Sequence, residues 1–155
     1  MKKDLLKLIG FVLLSNLAGI IGSIFTRESV NTWYLTLTKP SFNPPGWIFG
    51  PVWTLLYILM GIAAFLVYKR GYKKAKTALN FFFIQLFFNA LWSFLFFGLK
   101  NPFLAFIEII ILLTFIVITT YHFYKLEKRA AYLMLPYLAW VSFATILNLF
   151  LFILN

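Results

Sequence analysis

Few side chains in this sequence could do acid–base or ligand chemistry, and most of them sit inside long apolar runs. Ser15, Asn16, Gly19, Gly22 and Ser23 fall on one helical face of the first run. Phe49, Trp53 and Tyr57 recur at i, i+4, i+8; Gln85, Asn89, Trp92 and Ser93 share a face; Trp140, Ala144, Leu147 and Asn148 line up. Glu108 is the only carboxylate inside a run, and His122 is the only histidine. Flat aromatic rings beside neutral amides suit a planar organic ligand held by stacking and a few hydrogen bonds. Hydrolysis is poorly served: no Ser-His-Asp set can be built around one histidine at the wrong depth. No glycine-rich phosphate loop precedes a helix. One histidine without any cysteine offers no donor set, so no metal site is expected. A lone embedded carboxylate also falls short of the pair expected of a simple proton relay.

The elements that must carry these residues follow from composition. The chain has 155 residues, 63% hydrophobic and 12% charged, where a soluble domain has about a quarter charged. Its apolar runs approach the ~20 residues that span a hydrocarbon core. The expectation is an all-α integral membrane protein: a single transmembrane domain over residues 1–155 and a five-transmembrane-helix bundle. The spans are expected near 5–25, 47–68, 77–98, 102–124 and 131–154, with a lid loop at 26–46. The charged-then-apolar start has the outline of a signal peptide. The run is long, however, carries Asn16 in its middle and is followed by no clear small-x-small cleavage site, so a retained helix is expected. Without cysteine, disulfides and thiolate chemistry are excluded.

Charge sets the expected orientation. The net charge is +10, but the basic residues lie at the ends of apolar runs, which argues for topology signals and against a nucleic-acid surface. Lys2, Lys3, Lys7, Lys69, Arg70, Lys73, Lys74, Lys76, Lys125, Lys128 and Arg129 fall on one side; Arg27, Lys39 and Lys100 fall on the other. The positive-inside rule then puts the N-terminus inside and the C-terminus outside, with the long first loop on the outer side.

Depth gathers the polar residues. At about 1.5 Å per residue, Ser23 lies ~3 Å from the outer helix end, Trp53, Glu108 and Asn148 ~9 Å, and Asn89 ~14 Å. A pocket in the outer half is expected, roofed by the first loop. That loop, with "KPSFNPPGWIFGPVW" running from Lys39 into the second span, is stiffened by proline and rich in aromatics. Plainer readings stand beside this one. Asn16 and Asn148 fit interhelical hydrogen bonds better than ligand contacts, and the Gly/Ser face of the first span fits a close helix contact equally well. Trp33 and Trp47 fit interfacial anchors, whereas Trp53, Trp92 and Trp140 lie further in. His122 fits an interfacial position. Glu108 suits either a neutral carboxyl hydrogen-bonded to a neighbour or a functional group.

"WYLTLTKPSFNPPGWIFGPVWTLLY" from Trp33, "QLFFNALWSFLFFG" from Gln85, the acidic residue Glu108, and "PYLAWVSFATILN" from Pro136 resemble, in order, the blocks of the tryptophan-rich sensory protein or translocator protein (TspO/MBR) family, which includes the peripheral-type benzodiazepine receptor. The resemblance covers nearly the whole chain. It implies five transmembrane helices, a homodimer in membrane lipid, and a pocket beneath the first loop. It implies ligands such as protoporphyrin IX, haem and isoquinoline carboxamides, with cholesterol in some members, and no obligatory cofactor. The matching pocket positions are Ser23, Phe49, Trp53, Asn89, Trp92, Leu104, Ile107, Ile111, Trp140, Ala144 and Leu147; spacing adds Tyr57 and Gln85. Two departures stand out. Phe42 replaces a tryptophan common after "KPS", and the last span ends "ILNLFLFILN" without a Tyr followed by Lys or Arg, which weakens the case for a sterol ligand.

The expected function is tetrapyrrole binding in a sensing, transport or porphyrin-handling role, in a bacterial cell membrane. Apart from Lys7 at the inner end of the first, no Lys or Arg lies within a span, so porphyrin carboxylates are expected at the mouth, toward Arg27 and Lys39. The alternatives are light-dependent porphyrin degradation, with Trp53 and Trp140 as the catalytic indoles, and lipid or sterol transport.

Overall fold

The computed structural model describes residues 2–155. Five helices are long and apolar enough to cross a membrane: α1 (Lys2–Asn31), α3 (Gly46–Tyr68), α4 (Tyr72–Ser93, continued by a wider π turn over Phe94–Gly98), α5 (Pro102–Leu126) and α6 (Lys128–Leu154). A single-turn helix, α2 (Trp33–Thr36), lies in the first connection. There is no strand among the described residues. The first helix continues past the expected span end at Phe25 to Asn31, and the irregular part of the lid shortens to residues 37–45.

Short connections force antiparallel neighbours. Glu127 alone joins α5 to α6. Residues 69–71 join α3 to α4, and Gly71 takes φ 102° there, a left-handed backbone that costs glycine least. Asn101 caps α5 by accepting the Leu104 N–H at 3.0 Å, and Pro102 occupies a first-turn position whose N–H is not needed. Around the bundle the order is α1, α3, α6, α5, α4 and back to α1.

Packing is tight at the end carrying the basic connections and loose at the lid end. In the tight half, small residues let helices approach: Ala63, Ala64, Ala75 and Ala130 are fully buried beside Met60, Phe82, Phe123 and Met134. Gly61 shows how close. A Cβ built there would lie 2.6 Å from the Val12 Cα and 2.9 Å from the Phe11 carbonyl oxygen. At the lid end large aromatics hold the helices apart and leave a cavity. Apolar side chains such as Leu6, Leu13 and Ile24 on α1 face outward, as a lipid-facing surface requires.

The lid is fastened at several points. Tyr34 is buried, packs on Phe96 and Phe97, and donates its hydroxyl to Asn43 Oδ1 at 2.9 Å. Burial pushes its phenol above the usual range, with the Asn43 bond pulling the other way. Phe42 stands edge-on to Phe150 and Phe143 of α6. Asn155 clamps the Thr38 backbone, accepting its N–H at 2.8 Å and donating to its carbonyl at 3.0 Å.

Candidate functional site

A cavity of about 410 Å³ lies below the lid, within the size range of small-molecule sites. Ser23 reaches it from α1; Phe49, Trp53 and Tyr57 from α3; Asn89 and Trp92 from α4; and Trp140, Ala144 and Leu147 from α6. These are nine of the residues singled out by spacing or resemblance, and the structure brings them to one space.

Four others, and Glu108, lie elsewhere. Leu104, Ile107 and Ile111 face outward, 41%, 44% and 40% exposed, and α5 presents Ile109 and Leu112 to the cavity instead. The reason is rotation: one position along a helix is about 100°, so the two sets, although close in sequence, point to different sides. Gln85 is fully buried behind the cavity floor rather than on it. Glu108 is buried and off the cavity wall, and neither carboxyl oxygen has a hydrogen-bond partner among the described residues. Of the two roles open to Glu108, the carboxyl hydrogen-bonded to a neighbour is not the one seen.

The polar part of the floor is a chain of hydrogen bonds. Tyr57 donates to Asn89 Oδ1 at 2.5 Å, Asn89 Nδ2 donates to the Tyr137 hydroxyl at 3.0 Å, and Tyr137 donates to Gln85 Oε1 at 2.7 Å. Tyr137, wholly buried, was not among the expected site residues. It sits on the same helical face as Val141, Ala144 and Asn148, and its hydroxyl inside a span was the available signal. An amide nitrogen carries two hydrogens. One on Asn89 is used by Tyr137, leaving the other for a ligand at the cavity surface. The Ser93 hydroxyl also lines the cavity.

The aromatic walls are held in place. Trp53 is stacked on Tyr57, with centroids 5.6 Å and planes 27° apart, and meets Tyr137 edge-on. Trp140 packs against Phe49 and Phe143. Trp92 stacks on Phe96 and donates its indole N–H to Asn148 Oδ1 at 2.9 Å, while Asn148 donates to the Pro102 carbonyl at 2.8 Å. Asn148 thus joins three helices, the interhelical role expected of it. Asn16 bonds within α1, to the Val12 carbonyl at 2.8 Å. At the mouth Lys39 is engaged inside the lid, donating to the Leu37 carbonyl at 3.1 Å and lying over the Tyr34 ring. Arg27 is exposed and makes no ion pair among the described residues.

Comparison with known proteins places the chain among relatives. The model of the TspO/MBR family matches residues 11–154. The tryptophan-rich protein TspO of Archaeoglobus fulgidus is 43% identical over 152 residues, covering 98% of this chain and 99% of that protein. The human translocator protein is 38% identical over 142 residues, covering 90% of this chain and 84% of that protein. The tryptophan-rich sensory protein of Cereibacter sphaeroides is 40% identical over 116 residues, 75% of this chain and 72% of that protein.

Proposed function

The chain belongs to the TspO/MBR family of integral membrane proteins, and we propose that its cavity binds tetrapyrroles such as protoporphyrin IX and haem, and isoquinoline carboxamides, in a sensing, transport or porphyrin-handling role. One observation carries the reading: two indoles, Trp53 and Trp140, face a largely apolar space whose floor offers the neutral donor Asn89. A planar macrocycle gains from offset stacking by ~0.5–1.5 kcal/mol per pair beyond burial. Its carboxylates would remain at the mouth near Arg27, since Lys39 is already engaged. The proposed setting is a bacterial cell membrane, as a homodimer, with the lid and C-terminus outside; the basic residues concentrated at the opposite end support that orientation.

A second reading is light-dependent porphyrin degradation, with Trp53 and Trp140 oxidised by the excited macrocycle. Both indoles reach the cavity, which is the observation that favours it. Lipid or sterol transport has less support, because the last span lacks a Tyr followed by Lys or Arg.

The test is a titration of purified protein with protoporphyrin IX, followed by tryptophan quenching and by absorption spectra in light and in darkness. Saturable quenching supports binding, and a new light-dependent product adds the enzymatic reading. Linear, unsaturable quenching refutes both.

A further inference from the structure

At the lid end, the short connection 99–101 closes the α4–α5 seam, with the Asn101 N–H donating to the Leu95 carbonyl at 3.2 Å, and side-chain contacts tie the other seams except α1–α3. The α1–α4 seam is held by Ser29 donating to the Phe97 carbonyl at 2.7 Å and by Phe25 against Phe94. Trp92 and Asn148 tie α4 to α6, Asn148 and the Pro102 carbonyl tie α6 to α5, and Phe49 with Trp140 ties α3 to α6. The roof is fastened by Asn155 and Phe42.

The α1–α3 seam differs. The helices touch through backbone at Val12 and Gly61, and again where Gly19 meets the Tyr57 ring. Beyond that point no side-chain hydrogen bond or aromatic contact joins them among the described residues. Ser23 and Thr26 on one side, and Gly50 and Thr54 on the other, all line the cavity, yet Gly50 and Thr54 are also exposed. A Cβ built on Gly50 would meet nothing within 4 Å. The seam is therefore a gap from the cavity to the outer face of the bundle, where the neighbouring α1 surface is apolar and lipid-facing.

The chemistry of the rim fits passage through lipid. Its hydroxyls are already satisfied within their own helices: Ser23 donates to the Ile20 carbonyl at 2.7 Å, Thr26 to Gly22 at 3.0 Å, and Thr54 to Gly50 at 2.9 Å. An apolar body sliding between them strips no hydrogen bond from protein or water. Arg27 stands next to Thr26, exposed and without an ion-pair partner, where it can hold an anionic end at the headgroup level.

We propose that the gap between the lid-end halves of α1 and α3 is a portal through which a flat, apolar, anion-tipped amphiphile reaches the cavity from the bilayer, while the lid stays shut. This rests on the ligand reading above and adds the route and the phase the ligand comes from.

The experiment has two arms. The chain has no cysteine, so Gly50→Cys and Thr54→Cys can each carry a single nitroxide in lipid vesicles without ligand. Relaxation by oxygen, which concentrates in lipid, and by a water-soluble nickel chelate is compared with Leu13→Cys as the lipid control and Lys100→Cys as the water control. Both portal labels are expected to follow Leu13→Cys. Labels that follow Lys100→Cys, or that neither agent reaches, overturn the portal. The second arm measures protoporphyrin exchange between vesicles. Gly50→Phe, which fills the gap, is expected to slow both uptake and release about tenfold, with Asn155→Ala, which frees the lid, changing them less than about twofold. The reverse pattern assigns access to the lid and overturns the proposal. Should protoporphyrin not bind the unmodified protein, the ligand reading falls and the nitroxide arm still decides the portal.

Discussion

The Tyr57 hydroxyl donates to Asn89 Oδ1 across 2.5 Å, and the same amide donates onward to Tyr137. Two aromatic hydroxyls from α3 and α6 are thereby pinned to one side chain of α4, beneath the cavity. Burial makes each of these bonds costly to break from one side only.

The first prediction ranks two deletions. Tyr57→Phe leaves Asn89 Oδ1 without its donor, whereas Tyr137→Phe leaves both Asn89 Nδ2 and Gln85 Oε1 unserved. Each unsatisfied group costs about 1–3 kcal/mol. Thermal unfolding in detergent is expected to show Tyr137→Phe as the more destabilised, and the double variant as less than the sum because the groups are coupled. Equal, additive losses contradict the chain.

Ala144 lies one turn from Trp140 on the cavity wall. Ala144→Thr adds volume and a hydroxyl where a macrocycle packs, while its hydroxyl can bond back to a helix carbonyl as Thr145 does to Val141. Protoporphyrin affinity is expected to fall by about tenfold, or ~1.4 kcal/mol, with the unfolding midpoint little changed. Unaltered affinity removes Ala144 from the site.

Four of the five long helices could be oriented from sequence because each carries a polar or aromatic residue at helical spacing on one side. Trp53 and Tyr57, or Trp140 and Ala144, mark a face that lipid would not select. The α5 helix resists this. "FIEIIILLTFIVI" is apolar on all sides, so periodicity gives no rotation, and Leu104, Ile107 and Ile111 fell on the outer surface. Its one carboxylate, Glu108, is buried but lies off the cavity wall. Gln85 keeps the spacing of Asn89 but lies a turn deeper, behind Tyr137. The Asn155–Thr38 clamp joins residues 117 positions apart, and no local pattern announces such a pair. Helix number and the aromatic character of the lid, by contrast, are local properties of composition and run length.

The clamp itself gives a prediction. Asn155→Ala removes the acceptor of the Thr38 N–H and the donor to its carbonyl. Hydrogen exchange over residues 37–45 is expected to accelerate, with exchange around Met60 and Phe82 unchanged. Equal protection in both proteins shows that Phe42 and Tyr34 hold the lid without it.

At the opposite end, Arg70 donates from Nε to Glu127 Oε2 at 2.8 Å and from its terminal nitrogen to the same oxygen. The Arg70 hydrogen bond holds the Glu127 carboxyl below the usual carboxylate range. A depressed folded value means the contact stabilises above the unfolded pKa of about 4.3 and is lost as pH falls through the folded one. Glu127→Gln is therefore expected to unfold more easily than the parent at neutral pH, with the difference shrinking as pH drops below about 4. A difference independent of pH contradicts the ionic contribution.

The most direct test of the central claim is a structure of the protein with protoporphyrin IX in a lipid phase. The account predicts a macrocycle beneath the lid, its ring against Trp53 and Trp140, an Asn89 N–H turned to it and its carboxylates at Arg27. Ring density outside the bundle, on the apolar groove between α1 and α4 lined by Leu17, Phe87 and Phe94, with the cavity empty, would contradict it.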